Sequence, residues 1–483
     1  MKSSSRSKKF VLAGLCGLTL AWISSAMAQE VAKPADVQAP AAITEGAAPA
    51  TVTETRVEEP AAAPEKPYVP FEYHGYFRSG FGFNGEGGHQ EAFGAPGAGV
   101  AGVYDSAKYR LGNETETWGE MILVNNWLNP EKNSATFKSQ AMLAYYAQEA
   151  NHGDTDAILF REAFIEAGNF VAAKPDLKVW AGQRYYKRLD VHIEDLFWLN
   201  MSGFGGGFDD LDVGYGKLAL AYIGGSTTKA NLLTVHGYPV KHNIDLRWYD
   251  APLPFGKLMV WLQGSAAKGG ALSGTDAAGA DVTGTMPDVS GFAGAVAWTS
   301  PEFLGGWNTL VLQYGMGSSS DFTSQYLPTV ETLADPAGFG KFLVQDSSRF
   351  RVLDFGVIQP CKSFSMMYEV MYQLSDTGAA AKSMLNWYTF GLRPMYHFNQ
   401  YVALAFETAV DYVDSEFGKS DYLAKFTLAP TVKAGNTFFG RPEIRLYATM
   451  ATWGDDFKGE VAKNTYGDDT MGFAFGVQAE NWW

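Results

Sequence analysis

Short runs that alternate apolar and polar residues fill the chain from about residue 71 to its end, and clusters of Gly, Asn and Asp separate them. Neighbouring side chains of a β-strand point to opposite faces, so each run predicts a strand with two unlike faces. In the run FEYHGYFRSGFGF, one face would carry the aromatic residues Phe71, Tyr73, Phe77, Phe81 and Phe83. The other face would carry Glu72, His74, Tyr76 and Arg78.

The run KYRLGNETETWGEMIL alternates in the same way, with a polar face of Lys108, Arg110, Glu114, Glu116, Trp118 and Glu120. KLALAYIGG, RFRVLDFGVI, MMYEVMYQL and YVALAFETAVDYV repeat the pattern more loosely. Charges of both signs share one face with Tyr and Trp, and the opposite face is aromatic and aliphatic. The pattern favours an all-β fold, a transmembrane antiparallel β-barrel with a polar interior and an apolar exterior. A large secreted β-protein is the alternative that alternation alone leaves open.

The last residues, GFAFGVQAENWW, place two tryptophans on opposite faces of one predicted strand. Trp483 shares its register with Val477 and Phe475, whereas Trp482 shares its register with Glu480. We therefore expect Trp482 to face water and Trp483 to face lipid. At about 20–25 residues per strand and connection, residues 71–483 predict about 16–18 strands.

The segment before residue 71 has a different composition. Residues 1–28 predict a secretory signal peptide, with a basic start, the apolar core FVLAGLCGLTLAWI and the small-residue cleavage site AMA. Residues 29–70 are rich in Ala, Glu and Pro and predict a disordered periplasmic tether. Its partner, the cell wall or another, is left open. Residues 71–483 form the predicted barrel domain.

Composition and motifs exclude several classes of function. The net charge of −15 argues against a nucleic-acid partner. The sequence GFGFNG matches a nucleotide fingerprint literally, but a loop sequence follows it where the fingerprint requires a helix. The 7 histidines have no metal-ligand spacing. Paired carboxylates such as Asp209 and Asp210 could serve a glycosidase, but in a loop of an acidic protein such pairs are more often simply solvated. We expect neither an enzyme nor a bound metal or cofactor.

Long blocks of the sequence resemble the maltoporin family of sugar-specific porins. They include FEYHGYFRSGFGFNGEGGHQEAF, FREAFIEAG, VWAGQRYYKRLDVHIEDLFWLNMSGFGGGFDD, GLRPMYHF, FFGRPEIRLYATMATW and ENWW. The resemblance spans almost all of residues 71–483. It implies a homotrimer of 18-stranded barrels in the outer membrane of a Gram-negative bacterium, with a constriction loop folded into each pore. It also implies facilitated diffusion of oligosaccharides.

The resemblance assigns a sugar-binding role to two sets of residues. The aromatic slide of the family maps onto Tyr76, Trp118, Trp307, Phe439 and Trp482. The polar track and constriction map onto Arg78, Arg110, Glu120, Arg161, Arg188, Asp190, Asp195 and Phe197. Flat sugar faces lie well on aromatic planes, and an arginine fork can donate to vicinal hydroxyls. Weak binding at several sites also permits rapid release.

Three departures from the family pattern leave the substrate open. Ala92 and Thr115 replace a cysteine pair, no aromatic stands at His152–Gly153 where a neighbouring subunit would lend one, and Phe197 replaces a constriction tyrosine. Maltose and maltodextrins are the leading expectation. Sucrose or another disaccharide, or general diffusion without sugar specificity, is the alternative within the class. A secreted carbohydrate-binding protein and a secreted glycosidase are the alternatives from other classes.

Overall fold

The computed structural model describes ten segments of the chain. They are residues 68–99, 107–129, 134–147, 157–226, 233–235, 240–275, 281–286, 288–325, 345–378 and 381–483. The predicted signal peptide, the tether up to residue 67 and His152–Gly153 lie outside these segments.

Eighteen of the described strands belong to one sheet. In chain order they are β1 Phe71–Asn84, β2 Thr117–Asn126, β3 Thr136–Ala147, β4 Ala157–Gly168, β5 Lys178–Arg184, β6 Gly203–Asp212, β7 Lys217–Ser226, β8 Val240–Leu253, β9 Gly256–Ala267, β10 Val289–Phe303, β11 Gly306–Gly317, β12 Ser348–Cys361, β13 Phe364–Asp376, β14 Met384–His397, β15 Val402–Ser415, β16 Asp421–Lys433, β17 Glu443–Trp453 and β18 Met471–Trp482.

The sheet closes on itself. Each strand pairs antiparallel with the next strand along the chain, and β18 pairs antiparallel with β1. In the closing register Tyr76 lies opposite Trp482. A closed sheet leaves no strand edge with unpaired backbone groups, which is the condition for crossing lipid with strands. The prediction of an antiparallel β-barrel is confirmed, with 18 strands.

The two faces of the strands divide as the alternation predicts. On β1, the aromatic residues Phe71, Tyr73, Phe77, Phe81 and Phe83 point outward and are 37–54% exposed. Arg78 on the other face is buried within the barrel. The outer surface is therefore apolar and the lumen is lined by polar and charged side chains, the reverse of a soluble barrel.

Trp483 lies on the outer surface, where its ring packs beside Tyr73 at a centroid distance of 5.3 Å. The ring covers Gly75, where an added Cβ would lie 2.5 Å from Cζ2 of Trp483. Glycine is thus required at this position by the close approach of the terminal tryptophan.

The second alternating run contains less strand than the sequence predicts. Strand β2 begins only at Thr117, and residues 107–116 form part of the connection from β1. Gly112 has a φ of +69°, and the amide of Asn113 donates to the carbonyl of Arg110 in a turn. The interpretation of residues 108–116 as strand is wrong because this segment turns back into the lumen.

Smaller elements lie in the connections. A hairpin joins Leu189–Val191 to Leu196–Leu199, and a separate sheet joins Leu233–Val235, Gly270–Thr275 and Asp281–Met286. A 3₁₀ turn at Asp455–Phe457 and a helix at Lys463–Tyr466 precede β18. Within the described segments, no helix has the length and apolar character that a membrane crossing needs.

Connections differ strongly in length at the two ends of the barrel. Residues 213–216, 254–255, 304–305 and 362–363 are short turns at the end where β1 begins and β18 stops. The long connections, among them residues 85–116 and 185–202, lie at the other end. In outer-membrane barrels the short turns face the periplasm and the long loops face outside.

Candidate functional site

Two long connections fold into the lumen and pair with each other. We call residues 185–202 the constriction loop and the described residues 85–99 and 107–116 the first loop. The amide of Arg110 donates to the carbonyl of Ile193 at 2.9 Å, and the amide of Asp195 donates to the carbonyl of Lys108 at 2.9 Å. This backbone pairing fixes the first loop against the constriction loop.

A third connection supports the constriction loop from behind. The amide of Asn200 donates to the carbonyl of Phe322 at 3.1 Å, and the amide of Ser324 returns a bond to Asn200 at 3.1 Å. From the barrel wall, the Gln313 side chain donates to the carbonyl of Trp198 at 2.9 Å. The constriction loop is therefore bonded to two other loops and to the wall, as a fixed narrowing requires.

Four of the five predicted slide residues lie near one another. Tyr76 stacks on Trp482 with ring centroids 6.4 Å apart, and the centroid of Phe439 lies 6.3 Å from that of Trp482. Trp118 belongs to the same packed cluster as Tyr76 and Trp482. Trp307 has its ring contact with Phe355 instead, at 5.5 Å. Alternation along β1, β2 and β18 explains why Tyr76, Trp118 and Trp482 share the lumen face.

The slide residues differ in how far a ligand can reach them. Trp482, Phe439 and Trp307 are half-buried. Tyr76 is 2% exposed and Trp118 is 0% exposed. The guanidinium of Arg161 lies over the Trp118 ring at 5.3 Å. The accessible aromatic surface of the predicted slide therefore lies at Trp482, Phe439 and Trp307, whereas Arg161 covers the ring of Trp118.

Glu480, next to the slide, is the centre of a buried charge network. Its carboxylate accepts from the hydroxyl of Tyr76 at 3.0 Å and from Arg441 at 2.7 Å. Arg445 also donates to it, and Arg110 lies 3.5 Å away. Glu443 pairs with Arg441 at 3.1 Å and also with Arg445, and Glu114 pairs with Arg110 at 2.8 Å. The three guanidinium groups are therefore balanced by carboxylates, and the network fixes the positions of their N–H donors.

Two arginines of the predicted polar track are bound by carboxylates of the first loop. Arg78 pairs with Glu114 at 3.0 Å and also with Glu116. Arg110 pairs with the same Glu114 at 2.8 Å. The Arg78 guanidinium lowers the pKa of Glu116 to about 2, although burial opposes this shift. Glu116 therefore stays charged throughout the physiological range.

The predicted constriction residues all lie on the inward loop. Arg188 is held between aromatic rings, 3.4 Å from the centroid of Tyr185 and 4.7 Å from that of Phe197. Asp190 lies opposite Phe197 in the hairpin, and Asp195 pairs with Lys108 at 3.7 Å. Burial raises the pKa of Asp190 to about 6, against the effect of Arg110 and Arg188.

Glu120 on β2 and Arg161 on β4 both belong to the wall, with β3 between the two strands. Glu120 is buried and faces Arg161 and Arg188, which join the wall strands to the constriction loop electrostatically. Arg161 stands over Trp118, so one arginine borders both the aromatic and the charged sides of the pore. The polar-track residues thus surround the slide rather than forming a separate site.

His192 is a pore residue that sequence reasoning missed. Its ring meets Phe439 edge-on at 5.2 Å and Trp482 edge-on at 6.0 Å. Arg110 lies 3.3 Å from its Nδ1, and burial with this arginine places the pKa of His192 well below its usual range. A neutral imidazole therefore packs against both of these half-buried slide rings.

Arg441, Arg445 and Glu480 were missed as well. The Arg441 guanidinium lies 4.1 Å from the centroid of Trp482, so it stacks on a slide residue. A signal existed for Glu480, because it shares the lumen register of Trp482. Arg441 had no such signal, since its position in a turn between β16 and β17 gives no periodicity to read.

The described segments contain no group of three or more His, Cys, Asp or Glu side chains arranged to hold a metal ion. What the site offers is aromatic surface, ion-paired charges and a narrowed lumen inside a closed barrel. These features define a channel protein of the outer membrane, a porin.

The sequence pattern of the LamB porin family matches residues 71–483, and the chain belongs to this family. Membership places the protein in the outer membrane of a Gram-negative bacterium as a channel rather than an enzyme. The predicted resemblance to the maltoporins is confirmed.

The chain is also similar to solved structures at low identity. The OmpF porin of Salmonella typhi in complex with daunomycin is 10% identical, with 85% of this chain and 97% of that chain covered and a TM-score of 0.42. The DcaP channel of Acinetobacter baumannii is 10% identical, with 86% and 97% covered and a TM-score of 0.44. OccAB1 of the same organism is 9% identical, with 86% and 96% covered and a TM-score of 0.45.

Proposed function

We propose that this porin passes maltose and maltodextrins across the outer membrane by facilitated diffusion. The observation that supports the proposal is the half-buried pair Phe439 and Trp482, two neighbouring aromatic rings tilted by 55° with the His192 ring edge-on to both. Consecutive glucose rings each present a flat C–H face. A chain of them can step from one plate to the next without complete loss of contact.

Charged residues beside the plates supply the hydrogen bonds that sugar hydroxyls need. Arg110 and Arg441 form ion pairs with Glu480 beside Trp482. Arg188 and Asp190 lie on the constriction loop. A guanidinium carries five N–H donors, so an arginine that is already ion-paired can still donate to a hydroxyl. Binding stays weak at each position, and weak binding at several positions is what conduction requires.

Assembly as a homotrimer surrounded by outer-membrane lipid is part of the proposal. The barrel wall at β1 and β18 presents a continuous aromatic outer face, with Phe77, Phe475 and Trp483 exposed. Such a face fits either lipid or another barrel. Chemical cross-linking in native membranes tests this point, because a trimer gives a ladder that ends at three subunits.

A titration of sugar onto open channels in planar bilayers tests the transport proposal. Maltose, maltotriose and maltohexaose should each block the ion current in a saturable way, with tighter block for longer chains. An ion current that is indifferent to every sugar would identify a general diffusion porin. Such a result would refute sugar specificity.

One observation favours a second candidate, a channel for sucrose or another disaccharide. Phe197 stacks on Arg188 at the constriction, and it lacks the hydroxyl that a tyrosine would offer there. Adding sucrose to the same titration separates the candidates. Block by sucrose that exceeds block by maltohexaose would support the disaccharide channel.

A further inference from the structure

A small cavity lies beside the arginine that stacks on Trp482, between the barrel wall and the turn that joins β16 to β17. Its volume is about 10 Å³, which is room for one water-sized ligand. Three arginines line it, Arg393 from β14, Arg441 from the turn and Arg445 from β17. Glu443 and several apolar side chains complete the lining.

Two guanidinium donors at this cavity have no hydrogen-bond partner among the described residues. They are the Nε atoms of Arg441 and Arg445, and both are shielded from solvent. The two side chains are only 3% and 6% exposed. A buried N–H donor without an acceptor is unfavourable, and more so on a charged group. The cavity is therefore suited to a ligand that accepts hydrogen bonds.

Glu443 is the one acidic residue in the lining, and cations surround its carboxylate. Oε1 lies 3.1 Å from Arg441 and also pairs with Arg445. Oε2 lies 3.7 Å from the ammonium of Lys433. Three positive charges thus compensate one carboxylate, which weakens the repulsion that it exerts on an anion in the cavity.

The ion pairs around the cavity contain more positive than negative charge. Glu407, for example, is shared by Arg393 at 2.6 Å and Lys425 at 2.7 Å. In the described residues these pairs join six cations to four carboxylates, namely Arg110, Arg393, Lys425, Lys433, Arg441 and Arg445 with Glu114, Glu407, Glu443 and Glu480.

Neighbouring charges do not remove this excess. Arg78 and Glu116 extend the chain of pairs and add one charge of each sign. Asp411 lies near Lys425, and its charge still leaves one cation in excess. Because buried charges are normally paired, the excess favours a ligand with negative charge over a neutral water molecule.

We propose that this cavity binds one monatomic anion of the halide class, such as chloride, and that Arg441 and Arg445 donate to it through their Nε–H groups. The volume suits a single atom and is too small for sulfate or phosphate, which have five heavy atoms each. The anion would satisfy both buried donors and neutralise part of the excess positive charge.

A bound anion would support the aromatic slide from behind. Arg441 lies 4.1 Å from the ring centroid of Trp482, and Arg445 belongs to the wall strand β17. Both arginines also pair with Glu480. An anion between them would fix Arg441 against the wall, so it would position the guanidinium on Trp482 without contact to sugar.

Crystals of the wild-type protein grown with sodium bromide give the direct test. An anomalous difference peak should lie in the cavity, within hydrogen-bond distance of the Nε atoms of Arg441 and Arg445. A cavity that contains density of a water molecule without anomalous signal would overturn the proposal.

Thermal unfolding in detergent gives the test in solution. Sodium chloride replaces sodium gluconate at constant ionic strength, because gluconate is far too large for the cavity. A ligand that binds the folded state raises the unfolding temperature, so this temperature should rise with chloride concentration. Arg445→Gln should lose most of this rise. Arg351→Gln is the matched control and should keep it, because Arg351 is also a buried lumen arginine but does not line the cavity.

Arg445→Lys keeps the positive charge without the Nε donor, and it gives the same comparison if Arg445→Gln folds poorly. An unfolding temperature of the wild type that is independent of chloride would overturn the proposal. An equal rise in the Arg445 and Arg351 variants would also overturn it, since chloride would then act elsewhere. Neither measurement contains sugar, so the outcome is separate from that of the transport proposal.

Discussion

Replacement of Trp482 by alanine should weaken sugar binding while the channel stays open. The indole contacts Tyr76, Phe439 and His192 at centroid distances of 6.4, 6.3 and 6.0 Å, and it is one of the few aromatic rings that a ligand can reach. Loss of one ring that stacks on sugar should cost about 1 kcal/mol, by analogy with aromatic pairs. That free energy corresponds to a dissociation constant about fivefold higher.

The assay is block of single-channel current by maltohexaose, with the dissociation constant taken from the sugar dependence. Trp483→Ala is a matched control, because it removes the neighbouring tryptophan from the outer face and not from the lumen. Trp482→Phe should retain most of the affinity, since a ring remains. Equal sugar affinity in Trp482→Ala and wild type, or an equal loss in both alanine variants, would refute the assignment of Trp482 to the slide.

Three further predictions follow from particular contacts. A double-mutant cycle of Trp118→Ala and Arg161→Ala should show a coupling of about 0.5–1 kcal/mol in sugar affinity, because Arg161 covers Trp118 at 5.3 Å; additive effects would show that the two act independently. Gly75→Ala should lower the free energy of unfolding of the barrel by about 1–3 kcal/mol, because the added methyl group would collide with Trp483. Gly264→Ala is the control, since an added Cβ meets open space there, and it should leave the stability unchanged. Equal stability of the two variants in thermal or denaturant unfolding would contradict the packing. Cation selectivity, measured from reversal potentials, should fall as the pH falls through about 6, because Asp190 with its raised pKa gains a proton there. Asp190→Asn should show the lower selectivity at every pH. A pH dependence that persists in this variant would show that another group causes it.

The barrel could be predicted from the sequence because lipid imposes a strict rule on each strand. The outward positions of β1 and β18 are mostly apolar, and the inward positions Arg78, Glu480 and Trp482 are polar or amphipathic. This period of two is local, so it is visible without knowledge of strand partners. Closure, register and strand number depend on pairing between distant segments, and alternation alone gave only about 16–18 strands.

The candidate site was predictable where its residues lie on strands and less so where they lie on loops. Alternation alone places Tyr76, Trp118 and Trp482 on the polar face of their strands. Lys108 and Arg110 alternate as a strand would, yet they belong to an inward loop whose position depends on contacts with the constriction loop.

His192 and Arg441 acquire their roles from tertiary contacts. Both residues touch Trp482, but neither is close to it in sequence. The solvent exposure of the slide rings could not be predicted from the sequence either. Nothing in the pattern around Trp118 shows that Arg161 covers its ring. Local periodicity reports the face of a strand and not what lies over that face.

A structure of the channel determined with maltohexaose bound would test the central claim most directly. Successive glucose rings should lie on Phe439 and Trp482, with the edge of His192 between them and hydroxyls within hydrogen-bond distance of Arg110 or Arg441. Sugar density elsewhere in the lumen, with Trp482 still covered by Arg441 alone, would contradict the slide as the path of the substrate.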